Sequence, residues 1–148
     1  MTWVKEKERP VDVLNRLWAE LKLSGIRCKL TLLDRYFFTV PVLKWLQQHD
    51  LPFIVPVVIR GRKPKPGKSA KGLRGQRGQR AGSYSYTHHA GTQSVTFRLV
   101  INYKTYRHHR TKKRAVKKML FATWKVNLTP TEVRETYRSR FGIETSYR

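Results

Sequence analysis

Cys28-Lys29-Leu30-Thr31-Leu32-Leu33-Asp34 is an apolar run that stops on a carboxylate. Its leucines and β-branched threonine predict a strand inside a sheet, with Asp34 at the carboxyl end. Ligands of open α/β sheets gather at that end of the strands. Asp34 is therefore either a ligand-binding group or a cap for the turn at Arg35-Tyr36-Phe37-Phe38. The run alone leaves both readings open.

The neighbouring segments decide the fold class. Upstream, Val11 to Lys22 predicts an amphipathic helix, with Leu14, Leu17, Trp18 and Leu21 on one stripe, Asp12 near its start and Gly25 past its end. Downstream, Thr39 to His49 predicts a short helix carrying Val42, Leu43, Trp45 and Leu46, with Pro41 in its first turn. Pro52 then opens a strand over Phe53 to Ile59, in which Pro56 argues for an edge, a bulge or a local break. Residues 11–59 thus spell helix, strand, helix, strand, the alternation of a layered α/β domain.

Composition changes after residue 60. Gly61 to Gly82 is rich in Lys, Arg and Gly, has Leu73 as its only large apolar residue, and contains Arg74-Gly75-Gln76-Arg77-Gly78-Gln79-Arg80. It reads as a flexible basic loop unable to bury a core. Together with Arg60, its Arg62, Lys63, Lys65, Lys68, Lys71, Arg74, Arg77 and Arg80 are candidate phosphate contacts through counterion release. The alternative is a solubilising linker. Val95, Phe97, Leu99, Ile101 and Tyr103 then alternate with Thr96, Arg98, Val100 and Asn102, as in a half-buried strand. Ser83 to Thr87 is a shorter partner strand, and Leu120 to Val126 a further one. Between them lies a second basic patch, with Arg107, Arg110, Lys112 and Lys113 as candidate DNA contacts. Residues 83–126 read as a small β-rich insertion. The pairs His88-His89 and His108-His109 suggest a metal, but adjacent strand residues point opposite ways and no cysteine joins them, so zinc is not expected.

The chain ends in Thr129-Pro130-Thr131-Glu132, a capping box with proline at the first helical position. On the helix it starts, Tyr137, Arg140 and Glu144 share one face. That face is either solvated or a carboxylate site held by polar neighbours.

Charge narrows the partners. Against 9 acidic residues stand 32 Lys and Arg, a formal net charge of +23, which points to a polyanion. Hydrophobic residues at 39% are too many for a wholly disordered chain. The lone Cys28 excludes an internal disulfide framework and a thiolate zinc cluster. No apolar run reaches the roughly 20 residues of a membrane span, and Met1 to Pro10 lacks the core of a secretory signal. An intracellular nucleic-acid-binding protein is the expectation.

The order of these parts resembles the catalytic region of the DDE transposases of bacterial insertion sequences, in the group with the signature Y-x2-R-x3-E-x6-K. Tyr137, Arg140 and Glu144 match its first three members, and Leu33-Asp34-Arg35-Tyr36-Phe37 resembles the segment around the family's second aspartate. The resemblance implies an RNase H-like α/β fold, with Asp34 and Glu144 as two of three metal-binding carboxylates for two Mg²⁺ (or Mn²⁺) ions. It further implies Tyr137 and Arg140 as supports for the glutamate or a DNA phosphate, and insertion-sequence ends as substrate. Trp124 is a weak candidate for stacking on a base, and a core role suits it better. A bacterial, cytoplasmic, nucleoid-associated location follows, with full-length transposase or a second copy as protein partner.

Two departures stand out. The only acidic candidate for the family's first aspartate is Asp12, too close to Asp34 and on a helix start. The signature lysine falls past Arg148. The expectation is a transposase cut at both ends and inert alone: residues 1–60 a partial core, 61–82 a flexible loop, 83–126 the insertion, and 127–148 the start of the glutamate helix. The other reading is a basic RNA- or DNA-binding protein without catalysis, which gives no reason for Asp34 and the Tyr-Arg-Glu face.

Overall fold

The computed structural model describes residues 7–145, and the side chains of the last helix as far as Arg140. Helices α1 (Pro10–Leu23) and α2 (Val40–Gln48) flank strand β1 (Thr31–Leu32) and a 3-10 turn at Arg35–Phe37. Strand β2 (Phe53–Pro56), a single-turn helix α3 (Gly72–Gln76), β3 (Gly82–Ala90), β4 (Gln93–Arg107), β5 (Arg114–Trp124) and α4 (Pro130–Thr145) follow.

The five strands form one mixed sheet in the order β1-β2-β5-β4-β3. Parallel strands need a crossover, and α2 provides it between β1 and β2, where Thr31 lies opposite Phe53 and Leu32 opposite Ile54. The remaining pairs are antiparallel. Period-two alternation then builds two cores. Phe53, Val55, Leu99, Ile101 and Ala122 pack under α1 and α2 with Leu14, Leu43 and Leu46. Ile54, Val100 and Phe121 face the other way, under Val133 and Tyr137 of α4. Val100, read as the outward member of an alternating strand, is buried by that helix.

Two strands differ from their expected extents. The strand read over 28–34 pairs only through Thr31 and Leu32, and within the described sheet it is an edge rather than an interior strand. Just upstream of it Ile26 is 58% exposed, while Cys28 and Leu30 are half-buried. Strand β2 ends at Pro56 instead of Ile59, with one further bond from the Val57 N–H to the Leu120 carbonyl at 2.9 Å. The stretch 61–82 does contribute to the core: α3 turns Leu73 inward to 7% exposure. Arg74 ties it down by donating to the Gly61 carbonyl at 2.9 Å. Residues 83–126, read as an insertion, are hydrogen-bonded into the same sheet through β5 against β2.

Strands β4 and β5 outrun their neighbours. The last partner on β3 is Gly82, opposite Ile101, and the last on β2 is Pro56, opposite Phe121. Asn102–Arg107 and Arg114–Met119 therefore pair only with each other, as a projecting ribbon. At its base the buried Asn102 donates to the Pro130 carbonyl at 2.7 Å and accepts from the Tyr103 N–H at 2.8 Å.

Candidate active site

Asp34 sits just beyond the paired end of β1, where the Leu33 N–H donates to the Ile54 carbonyl at 3.3 Å. Its backbone caps the 3-10 turn by accepting from Phe37 at 2.9 Å, but its side chain makes no capping bond. The carboxylate goes instead to Arg140 of α4, 106 residues away in sequence. Nη1 donates to Oδ1, and Nη2 to Oδ2 at 2.8 Å, a bidentate fork. The Tyr137 hydroxyl accepts from Arg140 Nη1 at 2.9 Å and donates to the Leu33 carbonyl at 3.2 Å. One network thus joins the end of β1 to the middle of α4.

The helix is set for this by its sequence. Thr129 and Glu132 form the expected capping box, the Thr129 N–H donating to Glu132 at 2.7 Å and the Glu132 N–H to the Thr129 hydroxyl at 3.3 Å. Val133 and Tyr137, four residues apart, form a narrow buried stripe. Arg140 continues that stripe where the apolar contact ends. Polar ties compensate for the thin stripe: Arg98 donates to the carbonyls of Val126 and Leu128 at 2.9 and 2.6 Å. Arg134 likewise donates to the Tyr103 carbonyl at 3.1 Å.

Electrostatics follow the contacts. The hydrogen bonds from Arg140 hold the Asp34 carboxyl below its ordinary range, against an opposing desolvation. Arg140 is raised, first by the same bonds. Burial pushes the Tyr137 phenol up. At neutral pH the site is an ionised, half-exposed carboxylate, a fixed guanidinium and a neutral phenol.

A groove of about 1010 Å³ opens onto Asp34. Arg134 and Arg138 of α4, Lys104 of β4, Lys117 and Lys118 of β5, and Arg35 and Arg77 line it, and Asp34 is the only acid among the described residues that do. Of these, only Arg77 was singled out from sequence. Arg134 and Arg138 were findable, being four apart on the predicted helix. Lys118 connects the groove to the 61–82 stretch, donating to the Arg77 carbonyl and lying 5.2 Å from the Tyr103 ring centroid.

The remaining candidates disperse. Arg60, Arg62, Lys71 and Arg74 line a different cavity. Lys63, Lys65, Lys68 and Arg80 are exposed, as are Arg107, Arg110, Lys112 and Lys113 around the ribbon tip. Asp12 is bound to Arg9 at the start of α1, at 3.0 Å. Trp124 stacks on Phe53 at 6.4 Å and lines neither cavity. Glu144 falls within α4, but its side chain lies outside the described residues.

A family model described as the transposase DDE domain matches residues 5–148. The chain belongs to that family. No curated protein matches it. Membership connects this transposase domain with DNA transposition, and the described residues contain no helix long and apolar enough to cross a membrane.

Fit to the divalent ions that such domains use is partial. Asp34 is an ionised hard-oxygen donor, and each oxygen keeps a lone pair beyond its bond to Arg140. Among the described residues, no group of three or more His, Cys, Asp or Glu converges.

Proposed function

We propose that this transposase domain supplies the second aspartate and the glutamate of a DDE active site, which cleaves phosphodiester bonds and transfers strands at insertion-sequence ends. The observation that carries the reading is the bidentate grip of Arg140 on Asp34, buttressed by Tyr137, at the mouth of a cationic groove. A merely solvated helix face has no reason to reach across to the end of a parallel strand. Glu144 occupies the next position of the Val133, Tyr137, Arg140 stripe, four residues on.

In this reading the β1, α2, β2 unit and α4 belong to an RNase H-like core, and β3 to β5 extend its sheet. Asp34 and Glu144 would hold Mg²⁺ or Mn²⁺, whose charge stabilises the attacking and leaving oxygens of the displacement. The protein's own share is to keep Asp34 ionised, so that no proton is lost before ligation, and to fix its direction through Arg140. Tyr137 holds the guanidinium by accepting from its Nη1. The lysines and arginines of the groove bind the DNA backbone. Asp12, tied to Arg9 in the first turn of α1, is not taken as the third carboxylate. With two of the three carboxylates, these 148 residues would not cut DNA unaided in this reading.

Titration with Mn²⁺, read as paramagnetic NMR broadening, tests this. Broadening centred on residues 34 and 144, abolished by Asp34→Ala, is expected. Broadening elsewhere, or none, would leave a basic nucleic-acid-binding protein without catalysis. Mg²⁺-dependent cutting by the purified chain, lost in Asp34→Ala, would overturn the claim of inertness.

A further inference from the structure

The sheet has two edges, and they are unlike. Strand β1 presents two residues at one of them, whereas β3 presents nine, Gly82–Ala90, at the other. The register of β3 against β4 is one-to-one from Gly82 opposite Ile101 to Ala90 opposite Gln93, so no bulge turns this edge aside. Among the described residues, no backbone bond except those to β4 reaches it. Every second N–H and C=O of the strand therefore points away from the sheet.

Folded proteins blunt such an edge with Lys, Pro, a bulge or a covering segment. Gly82-Ser83-Tyr84-Ser85-Tyr86-Thr87-His88-His89-Ala90 holds no Pro, Lys, Arg, Asp or Glu, in a chain where 32 of 148 residues are Lys or Arg. A long, uncharged, unbulged edge is a template for one more strand.

Charge selects the occupant. A cavity of about 620 Å³ lies beside the second half of β3, lined by Tyr86, His88, His89 and Ala90. Adjacent strand residues point opposite ways, so a cavity touching both His88 and His89 reaches the backbone of the strand. Arg60, Arg62, Lys71 and Arg74 line it as well, and among the described residues no Asp or Glu does. A strand added along β3 turns every second side chain toward this face of the sheet. A second copy of the chain would bring a net charge of +23 against the same sign. Nucleic acid can use the cations but has no peptide row to pair with the edge. We infer that β3 docks an extended acidic segment of another protein as a further strand, with Glu or Asp at alternate positions reaching Arg60, Arg62 and Arg74. This goes beyond the cleavage reading and uses neither Asp34 nor a metal.

The test titrates the 148-residue chain with the blocked peptide Ac-Thr-Val-Glu-Val-Glu-Val-NH2, followed by calorimetry and amide hydrogen exchange. Binding is expected to slow exchange at alternate amides of residues 82–90. Replacing both peptide glutamates by glutamine is expected to weaken binding about tenfold, the value of one charge-assisted hydrogen bond. Arg60→Gln with Arg62→Gln, both at exposed positions, is expected to do the same to the acidic peptide and nothing to the glutamine peptide. N-methylation of every second peptide nitrogen separates a ladder from charge attraction, because one phase blocks the side toward β3 and the other faces solvent. One phase is expected to abolish binding and the other to keep it. Equal binding in both phases, or exchange in 82–90 that does not slow, would overturn the proposal, leaving attraction to the cavity's cations as the whole effect. So would no binding up to ~1 mM peptide. A peptide-free dimer in sedimentation with the β3 amides already protected would also overturn it, making a second copy the occupant. None of these readouts involves Mn²⁺ or Asp34, so this proposal and the cleavage reading fail separately.

Discussion

Replacing Arg140 by glutamine removes the fork on Asp34 without adding bulk. The pair is only partly buried, with side-chain exposures of 21% for Arg140 and 54% for Asp34. Exposed ion pairs contribute up to ~1 kcal/mol, and two parallel charge-assisted bonds place this one at the upper end, about 1 kcal/mol. The ~3–5 kcal/mol lost on breaking a buried pair does not apply, because water reaches the carboxylate. With a urea dependence of about 2 kcal/mol per molar, the unfolding midpoint falls by about 0.5 M. The pH profile is the sharper check. A carboxyl group whose pKa folding depresses contributes stability above its unfolded value, near ~3.9, and loses it as pH falls through the folded value. Asp34 is such a group, held down first by Arg140. The gap between parent and Arg140→Gln is therefore full at neutral pH and closes in acid, below about pH 4. Urea unfolding followed by tryptophan fluorescence across that range, with a ¹³C titration of Asp34, measures both quantities. A gap that persists unchanged in strong acid, or an Asp34 that titrates at its ordinary value in the parent, refutes the reasoning.

Three other perturbations probe separate features. Asn102→Leu leaves the Pro130 carbonyl and the Tyr103 N–H without the partners they have now. It should cost about 1–3 kcal/mol in urea unfolding, with faster hydrogen exchange in the first turn of α4. Gly75→Ala places a Cβ 2.6 Å from the Ala70 carbonyl oxygen, a backbone atom that cannot swing aside. Limited proteolysis should then cut within 61–82 faster, while the global midpoint changes little. Glutamine at Arg107, Arg110, Lys112 and Lys113 together should reduce the salt slope of duplex DNA binding by about 3.6, equally for unrelated sequences. An unchanged slope would put the ribbon tip off the DNA.

The layered α/β class was legible because period and punctuation agree over 11–59: Pro41 and Pro52 start elements, and the helical stripe of α2 differs in period from the strands. The capping box fixed the start of α4 for the same reason, two residue types at one spacing. Pairing order was not legible. A strand's neighbours depend on long-range register, and nothing within Cys28–Asp34 says which edge stays open. Leu73 was misjudged because one apolar residue in a basic stretch has no periodicity to report, yet a single helical turn suffices to bury it. Tyr137 and Arg140 could be named from their spacing. Their contact with Asp34 across 106 residues required the fold. The groove's lysines were not legible, since Lys104 reaches the same groove as Lys117 and Lys118 only once β4 and β5 pair.

The ribbon of β4 and β5 has a mechanical consequence. From Asn102 to Arg107 it reaches about 17 Å at roughly 3.3 Å per residue, and Asn102 grips the first residue of α4. Arg134, one turn along, grips the same ribbon at Tyr103. A stiff arm clamped near its pivot is a lever, so a few ångströms of travel at the tip arrive at the helix as a much smaller rotation. Against such rotation helix α4 sets two buried apolar residues among the described ones, Val133 and Tyr137, and the polar ties of Arg98 and Arg134. A load on the exposed cations at the tip would therefore be felt at the helix that aims Arg140 at Asp34.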